Sequence, residues 1–271
     1  MQVALAQLAP VPGDVPANLA RIARVLTEHP AKVYVFPELF LSGYRIGDRF
    51  HDLALTPESP PMDELRRLAR GAGASIFVGA PVRHARAGEV ENAALIVGPD
   101  GAIEVRSKRF LPTYGPFEEG AIFTPSAASA VVGVGGHAIG VQICYDAFFP
   151  EVSRELAFAG AELLVVLSAA PVTSRRLFDR VLPARSVENA LPLVYVNRVG
   201  VEDGIVFGGG SQALDARGES LDPPPTTAAR SDEAVWVVDV DLAEAARWRP
   251  FRPVLRDIAP HRGPTSPAPD G

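Results

Sequence analysis

One cysteine, two tryptophans and five histidines are spread over 271 residues. The single cysteine, Cys144, excludes an intramolecular disulfide framework and any cysteine-rich metal site. His29, His51, His84, His137 and His261 form no pair at helical spacing, so no metal is expected. No glycine-rich, lysine-ended phosphate cradle occurs, and no cofactor is expected. Basic charge is scarce too. The formal net charge is −6 and basic residues never cluster beyond twos and threes, which argues against a nucleic-acid or anionic-membrane partner. Apolar runs are short, "LLVVLSAAPV" being typical of the longest, so no membrane span is expected. "MQVALAQLAP" lacks a basic leader region, and a cytoplasmic location is the expectation.

What is present is a soluble globular composition, 47% hydrophobic and 21% charged, with length enough for a sizeable core. "PANLARIARVLTEHP" places Leu19, Ile22, Ala23 and Leu26 on one stripe, an amphipathic helix stopped by Pro30. "MDELRRLARGAG" and "PEVSRELAFAG" read as helices with glycine past their ends. "SRRLFDRVLPARSVENA" reads as a helix interrupted at Pro183. "KVYVF", "SIFVGAPV", "HAIGVQIC", "ELLVVLSA" and "LPLVYVNRVG" read as largely buried strands. Hairpins are expected around Pro99-Asp100-Gly101 and in "GGSQALDARGESL". The mixture predicts α/β with mixed sheets, one domain over residues 1–260 and a flexible Pro-rich tail over 261–271. "DPPPTTAARSD" (222–232) reads as an exposed loop. "VYVFPE" and "LLVVLSAAP" are similar strand-then-proline words, a hint of internal pseudo-symmetry.

Three reactive side chains stand where strands end, the usual place for chemistry in α/β proteins. They are Glu38 in "VFPELFLSGY", Lys108 in "SKRFLPTYGPFEEG" and Cys144 in "GVQICYDAFFPE". A thiol nucleophile, a carboxylate to carry protons and an ammonium to hold developing negative charge could together perform acyl transfer. Each also has an ordinary reading: inert core cysteine, exposed loop acid, solvated strand-edge lysine. Sequence separation alone does not decide between them. A helix beginning near Pro150 would surround the sulfur with N–H groups and favour the thiolate.

The three segments resemble the signature words of the nitrilase, or carbon–nitrogen hydrolase, superfamily. "LSAAP", "ARSVENALPLVYVNRVG" and "FGGGSQALDARGE" extend the resemblance in order along nearly the whole chain. The resemblance implies a four-layer α-β-β-α sandwich with two mixed sheets, and a homodimer or higher homo-oligomer. It implies Cys144 as nucleophile, Glu38 as general base and Lys108 as oxyanion stabiliser. A second glutamate is implied at Glu119, with Glu118 one residue away. The Tyr145 N–H would complete the oxyanion hole, and Tyr44, Tyr114 and Phe149 would wall the pocket.

Cys144-Tyr145-Asp146 differs from the Cys-Trp-Glu of true nitrilases and is more similar to amidases and carbamoyl hydrolases. The expected reaction is therefore hydrolysis of a small amide to acid and ammonia through a thioester. Parts of the chain also resemble the glutaminase portion of glutamine-dependent NAD synthetases, but Ala170 stands where those commonly carry a serine for the glutamine head group. Glutaminase, N-carbamoyl hydrolase and nitrilase remain the alternatives, with an inactive assembly partner as the non-enzyme reading. Arg175, Arg176 and Arg180 are candidates to clamp a substrate carboxylate, against the ordinary reading of a solvated helix face.

Overall fold

A computed structural model describes residues 1–84, 88–221 and 232–261. Residues 222–231 of the segment expected as a loop, and 262–271 of that expected as a tail, lie outside the described residues. The first half runs β1 (Gln2–Gln7), α1 (Val15–Glu28), β2 (Val33–Val35), α2 (Arg49–Leu53), α3 (Pro60–Ala72), β3 (Ser75–Arg83), β4 (Val90–Val97), β5 (Ile103–Ser107) and α4 (Glu119–Ile122). The second runs β6 (Val131–Val134), β7 (His137–Ile143), α5 (Pro150–Phe158), β8 (Leu163–Ser168), α6 (Arg175–Asn189), β9 (Leu193–Asn197), β10 (Val199–Glu202), β11 (Ile205–Gly208) and β12 (Gln212–Leu214). Then come β13 (Ala234–Asp239), α7 (Glu244–Trp248) and α8 (Val254–Ile258).

Two mixed sheets result, ordered β13-β1-β2-β3-β4-β5 and β12-β9-β8-β7-β6. Each has three parallel central strands flanked by antiparallel ones. The two strand-then-proline words fall on β2 and β8, the middle strands of these two parallel sets. The sheets pack face to face, and alternation along the strands separates three cores. Val3, Leu5, Val33, Val35 and Phe77 of the first sheet meet Val141, Ile143, Val165, Leu167, Val194 and Val196 of the second. Their neighbours Ala4, Ala6, Tyr34, Ile76 and Val78 face away, against α1 and α3. Leu164, Val166, Leu193 and Tyr195 face α5 and α6. The α-β-β-α sandwich is therefore present, and its strands read as continuous apolar runs because both faces are buried.

Local chemistry sets the helix ends. The Asp14 side chain caps α1 by accepting the Ala17 N–H at 2.9 Å, and α3 starts on prolines and ends at Gly73 in the left-handed region. One expectation is corrected. Helix α6 runs unbroken through Pro183; the carbonyl that Pro183 cannot serve belongs to Asp179, an exposed residue one turn earlier. The helix expected from Pro150 is present as α5, and a 3₁₀ turn (Cys144–Phe148) separates it from the end of β7. Among the described residues no helix is long and apolar enough to cross a membrane.

Candidate active site

Glu38 follows β2 on a bend whose next residue, Leu39, has φ +49°. The bend lies directly on β3, and the contact point is Gly79. A Cβ there would sit 2.2 Å from the Leu39 nitrogen and 2.6 Å from the Glu38 Cα, so only glycine admits this approach. Lys108 follows β5; its N–H donates to the Asn92 carbonyl at 2.8 Å, and its carbonyl accepts from the Ser126 N–H at 2.9 Å. Cys144 follows β7 with φ +46°, a left-handed conformation rare outside glycine.

Strand-end geometry brings the three together. Glu38 and Lys108 bury their side chains completely, and Lys108 Nζ donates to Glu38 Oε1 and to Glu119 Oε1, both at 2.7 Å. Asn92 Nδ2 donates to Glu38 Oε1 at 2.8 Å and reaches Glu119 Oε2 at 3.4 Å. The Tyr44 hydroxyl donates to Glu119 Oε1. From the second sheet the Ala169 N–H donates to Glu38 Oε2 at 2.8 Å, while the adjoining Ser168 hydroxyl donates to Cys144 Sγ at 3.2 Å. The end of β8 thus ties acid and thiol to two consecutive residues. Of Glu118 and Glu119, Glu119 touches the lysine, while Glu118 is exposed and lies 3.9 Å from Arg45.

Burial opposes charge on Lys108, but Glu119 and Glu38 more than offset it, and the ammonium's pKa is raised. Burial, assisted by Glu38, raises that of Glu119. Burial and the Glu38 charge likewise push the Cys144 thiol well up, outweighing Lys108 and the Ser168 hydrogen bond. The balance of these influences favours the thiol over the thiolate. Two of the three Lys108 N–H bonds are taken by carboxylates, which leaves one for a ligand. Among the described residues no group of three or more His, Cys, Asp or Glu could hold a metal ion.

The aromatic residues fall in two sets. Tyr44 is buried edge-on to Phe117 and Phe207, and its N–H bonds the Glu202 carboxylate at 3.1 Å. Tyr114 is exposed and meets Tyr145 edge-on, while Phe149 stacks on Phe110 at 3.6 Å and meets Tyr145 at 5.1 Å. Ala170 is fixed through its backbone, its N–H donating to Asn197 Oδ1 at 2.8 Å. Arg176 and Arg180 are exposed on α6, and Arg175 lies against Gly210, 3.3 Å from where its Cβ would be.

Sequence reasoning missed Asn92, Asp146, Ser168, Tyr195 and the buried Arg198–Glu202 pair. Asp146 is the brace of the nucleophile turn. Its Oδ1 accepts the N–H groups of Arg109 and Phe110 at 3.1 and 2.9 Å, and its Oδ2 that of Ile143 at 3.1 Å, joining the cysteine turn to the segment after Lys108. Burial pushes its pKa up to about 6. A polar residue inside an otherwise apolar strand was the available signal for Asn92 in "ENAALIV" and Ser168 in "LLVVLS".

The profile of the carbon–nitrogen hydrolase family matches residues 2–250. An (R)-stereoselective amidase of a Pseudomonas species is 32% identical over 261 residues, covering 95% of this chain and 91% of that protein. The glutamine-dependent NAD(+) synthetase of Aquifex aeolicus is 31% identical over 259 residues; the match covers 92% of this chain but only 44% of that longer protein. Among solved structures, a glutamate-to-glutamine variant of the amidase from Nesterenkonia sp. AN1, with the acetamide moiety of fluoroacetamide added covalently at its active-site cysteine, superposes with a TM-score of 0.79. It is 29% identical and is covered to 94%, with 93% of this chain. On the profile, the coverage and the shared two-sheet fold, this chain belongs to the carbon–nitrogen hydrolase family.

Proposed function

We propose that the protein hydrolyses a small amide to a carboxylic acid and ammonia through a thioester on Cys144. The observation that carries this reading is the cluster itself: one ammonium held between two buried carboxylates, with the thiol tethered to the same strand end. Because the resting sulfur is a thiol, attack needs a proton acceptor. Glu38, fixed by Lys108, Asn92 and the Ala169 N–H, takes that proton as sulfur adds to the amide carbonyl. The third Lys108 N–H and the Tyr145 N–H hold the oxyanion. Glu38 returns the proton to the departing nitrogen, and the thioester remains. Glu38 then activates water for deacylation. Glu119 keeps Lys108 aimed and charged, and Tyr44 keeps Glu119 aimed.

The covalent cysteine adduct of the Nesterenkonia amidase supports the nucleophile, and the Pseudomonas relative supports an amide rather than a nitrile. Tyr114 and Phe149 pack edge-on to Tyr145 beside the cysteine turn, and the three are proposed to wall the substrate pocket and to favour a short or flat acyl group. The similarity to NAD synthetases motivates a glutaminase arm in the test. Ammonia release is measured for a panel of small amides, ω-amides including glutamine, and N-carbamoyl compounds, each amide paired with its nitrile. The expected result is kcat/KM highest for a simple amide. Preference for the nitrile overturns the assignment, and strong preference for glutamine replaces it with glutaminase. We also propose a homo-oligomer; sedimentation as monomer alone at micromolar concentration refutes it.

A further inference from the structure

Ser168 ends β8 on the face that carries Leu164 and Val166, and the register pairs Val166 with Tyr195 of β9. Alternation makes this face apolar, packed against α5 and α6. Two hydroxyls nevertheless meet there. Ser168 is fully buried and Tyr195 is 2% exposed, its ring stacked on Phe178 at 5.0 Å. The Tyr195 hydroxyl donates to Ser168 Oγ at 3.2 Å, and Ser168 Oγ donates to Cys144 Sγ at 3.2 Å. Buried hydroxyls are costly unless hydrogen-bonded, and an apolar pair would fill this position without that requirement. The chain leads from the helix-side core to the reacting sulfur and touches none of Glu38, Lys108 or Glu119 through the side-chain bonds described.

The direction of the chain matters. A charged sulfur can only accept. Ser168 must then give its single proton to sulfur, and Tyr195 must give its own to Ser168, so every donor is used once. We propose that Ser168 is a further catalytic residue, the donor that receives the sulfur's charge when the acyl-enzyme is broken, and that Tyr195 is the positioning residue that aims it. This inference rests on the thioester reading above. In deacylation water adds to the thioester carbonyl carbon while Glu38 takes one of its protons. The C–S bond then breaks and its electron pair passes to sulfur, which the Ser168 O–H holds. The proton on Glu38 finally moves to sulfur, restoring thiol and carboxylate and releasing the acid. Lys108 serves the oxygen of the intermediate, and Ser168 serves the sulfur.

The test exploits the single cysteine: iodoacetamide alkylation, followed by intact mass, reports on Cys144 through the only thiol in the chain. The variants are Ser168→Ala and Tyr195→Phe in the full chain. Losing a hydrogen bond to a charged group raises the thiol pKa by about one unit. That cuts the thiolate about tenfold and raises its intrinsic nucleophilicity about threefold, so S168A should alkylate about threefold more slowly near neutral pH. Y195F should shift in the same direction by a smaller factor. A merely loosened site would expose the sulfur and alkylate faster, so the sign separates the two roles. During turnover, rapid quenching should find more acyl-enzyme in both variants than in wild type on the same amide. Alkylation at or above the wild-type rate in both folded variants overturns the proposal. If S168A fails to fold, Y195F, which keeps the ring on Phe178, decides. Alkylation needs no turnover, so failure of the amidase reading would show separately, as absent ammonia release beside slowed alkylation.

Discussion

Gly79→Ala is the sharpest test of how the fold positions Glu38. The new methyl would stand 2.2 Å from the Leu39 nitrogen and 2.6 Å from both the Cα and carbonyl carbon of Glu38, where ordinary contact begins at 3.4 Å. These are backbone atoms and cannot swing aside, so the bend must retreat by roughly 1 Å. A displacement of that size at a catalytic group costs about 10²-fold in rate. The accompanying backbone shift costs about 1–3 kcal/mol of stability, a fall of several degrees in Tm. The comparison variant is Gly71→Ala, at an exposed position of helix α3 with nothing within 4 Å of the added methyl. It should gain about 0.5–1 kcal/mol and keep full activity. Thermal melts by circular dichroism and ammonia release on the best amide supply both numbers. Wild-type kcat/KM in a G79A variant of unchanged Tm would refute the claim that this contact sets Glu38.

Three further expectations use the same assays. Cys144→Ala should fold and show no turnover above background; activity near wild type would remove the cysteine from the mechanism. Lys108→Met should lose at least about 10²–10³ in kcat and leave Glu38 and Glu119 facing each other without a counter-charge. Lys108 opposes the rise that burial causes at Glu119, so the Glu119 pKa then climbs further, and stability from a raised folded-state pKa is present at low pH and lost as pH climbs through it. The Tm of K108M should therefore fall from about pH 5 to about pH 8 more steeply than that of wild type; parallel curves would contradict this. Asp146→Asn points an amide donor at N–H groups that the carboxylate accepts, costing about 1–3 kcal/mol. In wild type, protonation of Asp146 as pH drops through about 6 weakens the same brace, so activity should fall there, and D146N should lack that limb.

The reactive side chains were legible because each ends a strand inside a distinctive word, yet separations such as the 131 residues between Ala169 and Glu38 say nothing about contact. Glu118 and Glu119 were indistinguishable in sequence, since what separates them is the start of α4, which turns one inward and leaves the other in solvent. The layers were equally hidden. "LLVVL" is apolar throughout because its alternate residues serve two different cores, and period-two reading needs a polar face to register. The four-layer sandwich came only with the family resemblance. Pro183 misled because a local breaker rule takes no account of the packing that holds Phe178, Leu182 and Ser186 of the same helix against the core. The bias toward the thiol needed tertiary structure, since desolvation of the sulfur, its largest cause, arises only when the chain folds around Cys144.

The left-handed bend at Cys144 sets folding stability against catalysis at one residue. A non-glycine residue held there costs on the order of 1 kcal/mol or more that the rest of the fold must offset. Glycine at 144 would relieve that cost. Cys144→Gly should therefore be more stable than Cys144→Ala by about 1 kcal/mol, the reverse of the order usual in helices and strands. A melt of the two inactive variants, separated by about 2–4 °C in glycine's favour, would measure the conformational energy held at the nucleophile. Selection for thermal stability alone would drift this position toward glycine; only retained turnover holds the cysteine in place.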